Sequence, residues 1–239
     1  MNDMNMFNEP GYGYEAQGGE PLSAYTAKTF GWMALGLLVT FATSLLGIFT
    51  GTIVYFFYLP AAPFLLAALE LVVVIVLSAR VHALSVGAAR ALFFAYAVLN
   101  GITFSVLLLA YEWSTLLLVF GITAVYFAAL AAYGYFTKRD LSNLRTLLLG
   151  GLIFLVVFWL LSLFLPLSGF ERVACLIGVV IFMAYTAYDT QKIKSFYYQL
   201  QGDGEMLRKA SIISALELYL DFVNLFLYIL RLVGRHSKN

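Results

Sequence analysis

Apolar residues run along this chain in blocks of about 20, each close to the length that a bilayer's hydrocarbon core of roughly 30 Å asks of a helix. Short polar stretches separate them. The pattern predicts seven spans, at 30–50, 59–79, 88–110, 114–136, 145–166, 172–191 and 211–233. Pro60 and Pro63 fall where the second span begins, a position that tolerates proline because the missing N–H has no helical partner there. Pro166, followed by Leu167, Ser168 and Gly169, closes the fifth. The connections are short except for 192–210, which holds Gly202, Asp203 and Gly204. Residues 1–28 are polar, with Lys28 as their one basic residue, and have no basic segment leading into a short apolar core with a cleavage site. They read as a mobile cytoplasmic tail ending in a short amphipathic piece, and 29–239 as a seven-helix transmembrane domain.

Composition agrees with the pattern. Hydrophobic residues make up 62% of the chain and charged residues 11%, against about 25% charged in a soluble domain. The expected class is therefore an all-α, multi-pass protein whose first partner is the lipid bilayer. A net charge of +1 gives no reason to expect a nucleic-acid partner. Cys175, the single cysteine, excludes an internal disulfide and any multi-cysteine metal site, and its apolar surroundings suit a small buried hydrophobe. His82 and His236 lie near helix ends with charged neighbours and belong to no metal constellation, so no cofactor is expected.

Basic residues orient the spans. Arg80 and Arg90 flank the 2–3 connection, Lys138, Arg139 and Arg145 the 4–5 connection, and Lys192, Lys194, Arg208 and Lys209 the 6–7 connection. The opposite connections carry only Arg172, which makes the amino terminus cytoplasmic. Seven crossings then put Arg231, Arg235 and Lys238 on the outer side, against the same rule.

The candidate chemistry is intramembrane and acidic. In the last span Ser214, Glu217, Asp221, Asn224, Tyr228 and Arg231 recur at intervals of 3, 4, 3, 4 and 3, which draws one polar stripe along one helix face. Such a stripe cannot face lipid without leaving polar groups unsatisfied, so it must turn to a bundle interior or a water-filled path. Its members serve either as hydrogen-bonding glue between helices or as an ion pathway. Asp221, near mid-helix, favours the second use, because packing rarely requires a carboxylate. Asp189 stands toward the cytoplasmic end of the sixth span, four residues after Tyr185 and just before Gln191, Lys192 and Lys194. It is either an interfacial aspartate balancing those lysines or the partner of Asp221. Facing carboxylates would titrate as one unit and form a pH-sensitive latch. Glu70 is a third intramembrane acid. Arg80, ten residues later, marks the cytoplasmic end of the same helix and is either a charge anchor or a partner for Asp189. Tyr96, Asn100 and Thr103 form a polar seam in the third span that suits packing.

Four segments, AYDTQKIK (187–194), LYLDFVNLFLYILRLVG (218–234), LNGITFS (99–105) and the KRDLS connection (138–142), resemble the transmembrane Bax inhibitor motif family, also called the Bax inhibitor-1 family, in its bacterial form. The resemblance covers all seven spans. It implies six helices around a central last helix, and a pH-sensitive calcium leak with Asp189 and Asp221 as the sensing pair. It also implies an arginine of the second helix bonded to one aspartate in the closed state, for which Arg80 is the candidate, and a cation contact at Glu70.

The expected function is a pH-sensitive calcium-leak channel or cation/proton exchanger of the bacterial inner membrane, not an enzyme. Asp189, Asp221 and Arg80 gate it; Glu70, Glu217, Asn224 and Ser214 line the ion path. Calcium, the transported ion, touches Asp189 and Asp221 only transiently, since conduction needs weak sites. The alternative is a non-conducting modulator of a membrane protease or of a stress or cell-death response. An intramembrane aspartyl protease is the remote alternative, because Leu218, Tyr219 and Leu220 precede Asp221 where a glycine-rich step would be expected.

Overall fold

The computed structural model describes residues 20–51, 53, 61–167 and 169–234, and among them every long element is an α-helix. In chain order these are α1 (Leu22–Phe49), α2 (Ala62–Ala79), α3 (Val86–Ala110), α4 (Trp113–Phe136), α5 (Arg145–Ser162), α6 (Glu171–Gln199) and α7 (Gly204–Gly234). A single 3-10 turn, Ser142–Leu144, leads into α5. Each of the seven is long and apolar enough to cross a membrane. Pro63 sits in the first turn of α2, as expected, while Pro60 lies outside the described residues. Of the basic residues near the carboxyl terminus, Arg231 is described; Arg235, His236 and Lys238 fall outside.

The largest departures from the hydropathy pattern are at helix ends. α1 begins at Leu22, eight residues before the apolar block, because Tyr25, Thr26, Thr29 and Met33 recur at helical spacing and are buried. Thr29 Oγ1 meets Ser211 Oγ of α7 at 2.9 Å, and the Tyr25 ring lies 5.5 Å from that of Tyr197. The amphipathic piece before the membrane is thus the first two turns of α1. The 192–210 connection shrinks in the same way. α6 continues to Gln199 with Ile193 and Tyr197 turned inward, and α7 starts at Gly204 with Ala210 and Ser211 buried. Only Leu200–Asp203 remains as a turn. Gly202 takes a φ of +131° there, and Asp203 Oδ1 caps α7 by accepting from the backbone N–H groups of Glu205 (3.1 Å) and Met206 (2.9 Å). Hydropathy misses these extensions because they stand beyond the apolar block, held by an amphipathic face.

α7 is the most buried of the seven helices. It buries 17 of its 31 residues, against three of 18 in α2 and two of 18 in α5. Its main neighbours are α6, α1, α4 and α3. α2 packs chiefly on α3, and α5 on α6, so these two stand off from α7 on either side of an open cavity. Their outward faces are leucine, isoleucine, valine and aromatic side chains, such as Leu65, Val72, Ile153 and Phe154, as suits hydrocarbon solvent.

α4 and α6 approach closely at Gly134, where a Cβ would overlap the backbone carbonyl of Ala187, two residues before Asp189. Gly121 on the same helix has open space around it. We expect Gly134→Ala to destabilise the protein in detergent by about 1–3 kcal/mol, because neither backbone can yield without moving the helix. Gly121→Ala should stay within about 0.5 kcal/mol of wild type. Thermal unfolding of both variants checks the packing, and equal melting temperatures for the two would contradict it.

Candidate functional site

The AYDTQKIK segment positions the site by spending each side chain on a different neighbour. Thr190 Oγ1 returns to the Thr186 carbonyl at 2.7 Å within α6, and Ile193 is fully buried. Gln191 clamps the 4–5 connection: its Nε2 donates to Arg139 O and its Oε1 accepts from Leu141 N, both at 2.8 Å. Lys194 Nζ donates to the Tyr135 carbonyl at the end of α4. In that connection the backbone N–H and the hydroxyl of Ser142 donate to Asp140 at 2.9 and 2.8 Å, which holds its carboxyl below the usual aspartate range. α6 is therefore fixed in rotation, with Tyr185, Asp189 and Lys192 turned to α7 and the cavity.

Between α6 and α7 these residues form two rungs. The carboxyls of Asp189 and Asp221, 6% and 3% exposed, stand on the facing sides of α6 and α7 at the cavity. One turn toward the α6–α7 connection, Lys192 Nζ lies 2.5 Å from Glu217 Oε1, with both side chains about one quarter exposed. The ammonium also stands 5.3 Å from the centroid of the Phe196 ring. Oδ2 of Asp221 and Oε2 of Glu217 are buried and receive no protein donor.

Both rungs line a cavity of about 1150 Å³. Glu70 and Val74 of α2 form part of one side, α5 the other, and α6 and α7 the floor. Arg145 and Ser162, the first and last residues of α5, both line it, so it follows that helix for its whole length, roughly 27 Å at 1.5 Å per residue. Glu70, Asp189 and Asp221 lie between its ends. Arg145, Lys192 and Glu217 stand toward one end, Glu171, Arg172 and Arg231 toward the other, with Arg231 over the Tyr228 ring at 5.9 Å.

The predicted site residues divide accordingly. Asp189, Asp221, Glu217, Asn224 and Glu70 share the cavity. Asn224 Nδ2 donates to the Leu220 carbonyl of its own helix at 2.8 Å, and Glu70 Oε1 accepts from Thr103 Oγ1 at 2.8 Å. The polar seam of α3 is thereby partly a support for Glu70. Tyr96 lines the cavity, and Asn100 is buried. Ser214 is buried away from the cavity lining. Arg80 is not brought to the pair: it is the exposed C-cap of α2, and no ion pair among the described residues joins it to Asp189. Ten residues of helix carry it roughly 15 Å along the axis from Glu70.

The cation at the pair is Lys192, which the hydropathy pattern assigned to a loop. The signal was present in the spacing. Lys192 follows Asp189 by three residues and Glu217 precedes Asp221 by four, so the four side chains share facing stripes once α6 and α7 pair. Among the described residues no group of three His, Cys, Asp or Glu side chains converges to hold a metal ion. A calcium ion at Asp189 and Asp221 would meet two carboxylates in place of an oxygen cage.

Comparison with known proteins agrees with the resemblance over nearly the whole chain. The family model described as inhibitor of apoptosis-promoting Bax1 matches residues 22–238. The inner membrane protein YbhL of Escherichia coli K12 is 38% identical over 216 residues, which cover 89% of this chain and 92% of that protein. A protein of Deinococcus radiodurans is 37% identical, covering 89% and 91%, and one of Borreliella burgdorferi 34%, covering 90% and 93%. With seven membrane-length helices and a match over nearly the whole chain, this multi-pass membrane protein belongs to the Bax inhibitor-1 family.

Proposed function

We propose that the chain is a cation-leak channel or cation/proton exchanger, with calcium as its ion, gated by the Asp189–Asp221 pair. One observation carries this reading: two buried carboxyls, Asp189 and Asp221, lie on the wall of a cavity that follows α5 from end to end. A carboxyl pair inside hydrocarbon is costly to keep, and its charge changes with protonation, so it couples cation attraction to proton activity. Glu70 and Asn224 add oxygen ligands around the same cavity. They are spread out, as weak, sequential cation sites require. Arg80 has no part in this gate. In proteoliposomes the calcium flux should change with pH in the wild type, and Asp221→Asn should remove that change. A wild-type pH profile in the variant would end the gating role.

The membrane is a bacterial inner membrane with the amino terminus in the cytoplasm. The relative in Escherichia coli, named an inner membrane protein, supports the first part. The basic connections 2–3, 4–5 and 6–7 support the second. In a Cys175→Ala background, Lys138→Cys should resist a membrane-impermeant maleimide in intact spheroplasts and react after permeabilisation. Labelling of intact spheroplasts would reverse the orientation.

A second reading is a non-conducting modulator of a membrane protease or of a stress response. The word inhibitor in the family description favours it. It expects no cation flux from purified protein at any pH, together with recovery of a protease in pull-downs.

A further inference from the structure

We propose that the end of the cavity marked by Arg172 and Arg231 binds a phospholipid with an anionic headgroup, whose phosphate meets the two guanidinium groups while an acyl chain enters between α2 and α5. α2 packs chiefly on α3 and α5 on α6, so among the described residues the cavity opens sideways between them toward the bilayer. The apolar side chains at this gap are as exposed as those on the outer faces of the same helices. Leu71 and Val156 line it at 60% and 50% exposure, while Val72 and Ile153 face outward at 53% and 55%.

The lining divides into two chemistries. Toward the α6–α7 connection it is polar, with Asp189, Lys192 and Glu217, and suits water. From Asp221 to Arg231, ten residues of α7 or roughly 15 Å, the walls are mainly apolar, with Leu155, Phe158 and Trp159 of α5, Ala174 of α6 and Leu227 of α7. The Asn224 amide in that stretch donates to its own helix. Walls of this kind inside a bilayer draw hydrocarbon in place of water.

At the far end the polar groups that return suit a phosphate. Gly178 of α6 leaves room for the Tyr228 ring, which a Cβ there would meet at 2.7 Å. Phe182 stacks on that ring with centroids 5.8 Å apart, and the Arg231 guanidinium stands 5.9 Å from its centroid. Arg172 comes six residues before Gly178, and Arg231 three after Tyr228. Because α6 and α7 run antiparallel, both arginines lie beyond that contact in the same direction, roughly one helical turn apart in level. Among the described residues no carboxylate forms an ion pair with either. Glu171 lines the same end, so two arginines against one glutamate leave it positive. A guanidinium stays charged and matches phosphate oxygens with two donors. The continuity of this cationic end with the apolar stretch selects a lipid over a soluble anion.

The inference goes beyond the cation reading and requires no flux. Trp159 supplies the reporter, since the other tryptophans are Trp32 and Trp113. In a Trp32→Phe/Trp113→Phe background, purified full-length protein in detergent is titrated with phosphatidylglycerol or phosphatidylcholine brominated in the acyl chain, and quenching of Trp159 fluorescence is followed. Phosphatidylglycerol should reach half-quenching at a mole fraction about fivefold or more below that of phosphatidylcholine, the scale of one basic side chain at an anionic lipid. Arg172→Gln and Arg231→Gln should each weaken phosphatidylglycerol by about fivefold on the same scale and leave phosphatidylcholine unchanged. Lys138→Gln, at an exposed position of the 4–5 connection, should alter neither. If the tryptophan background is not recovered folded, native mass spectrometry of bound phosphatidylglycerol on the otherwise unaltered protein and the same arginine variants makes the comparison. Equal affinity for the two lipids, or a phosphatidylglycerol preference that survives loss of both arginines, overturns the proposal. Displacement of the brominated lipid by an equal concentration of tail-less glycerophosphoglycerol overturns it as well, since the site would then belong to a soluble phosphate ester.

Discussion

The burial of two carboxyls, Asp189 and Asp221, at α6 and α7 constrains the rest of the bundle. Neither group can face lipid, so the helices carrying them must meet along their polar faces. That requirement leaves α7 the most buried helix, packed on α6, α1, α4 and α3. It also explains why α6 is tied so firmly at its end. Gln191 and Lys194 hold the α4–α5 region, and Gly134 lets α4 approach the backbone just before Asp189. The rotation of α6 decides whether the carboxyls meet, and these contacts determine it.

The cavity follows from the same constraint. Polar residues of α6 and α7 need a surface that is neither lipid nor a second apolar helix, and the stand-off of α2 and α5 provides it. The outer helices bury little and present apolar faces, while the interior pair carries the chemistry. Asp189, Asp221 and Glu70 line the cavity between its ends, and acidic and basic groups stand together toward each end.

Much of this was legible in the chain. Seven apolar blocks gave seven helices, and the 3-4 spacing from Ser214 to Arg231 gave most of the face of α7 that meets the cavity. Helix ends were harder, since Leu22–Thr29 and 192–210 are held by buried residues at helical spacing and not by hydropathy. Lys192 was hidden for that reason: a lysine after an apolar block resembles a loop residue until the helix is seen to continue. Arg80 illustrates the opposite limit. Charge alone suggested a partner for Asp189, yet the length of α2 carries it to an exposed end. Ser214 has the right spacing but lies buried beyond the cavity lining, since one stripe of a helix can span two environments.

The proposed gate requires a proton held between Asp189 and Asp221, and infrared absorption in the carboxylic-acid C=O region tests it most directly. Purified protein in lipid at neutral pH should show a protonated-carboxyl component that disappears in Asp189→Asn and in Asp221→Asn, since either change removes the pair. A spectrum without that component at neutral pH, or one that both variants leave unchanged, would contradict the account.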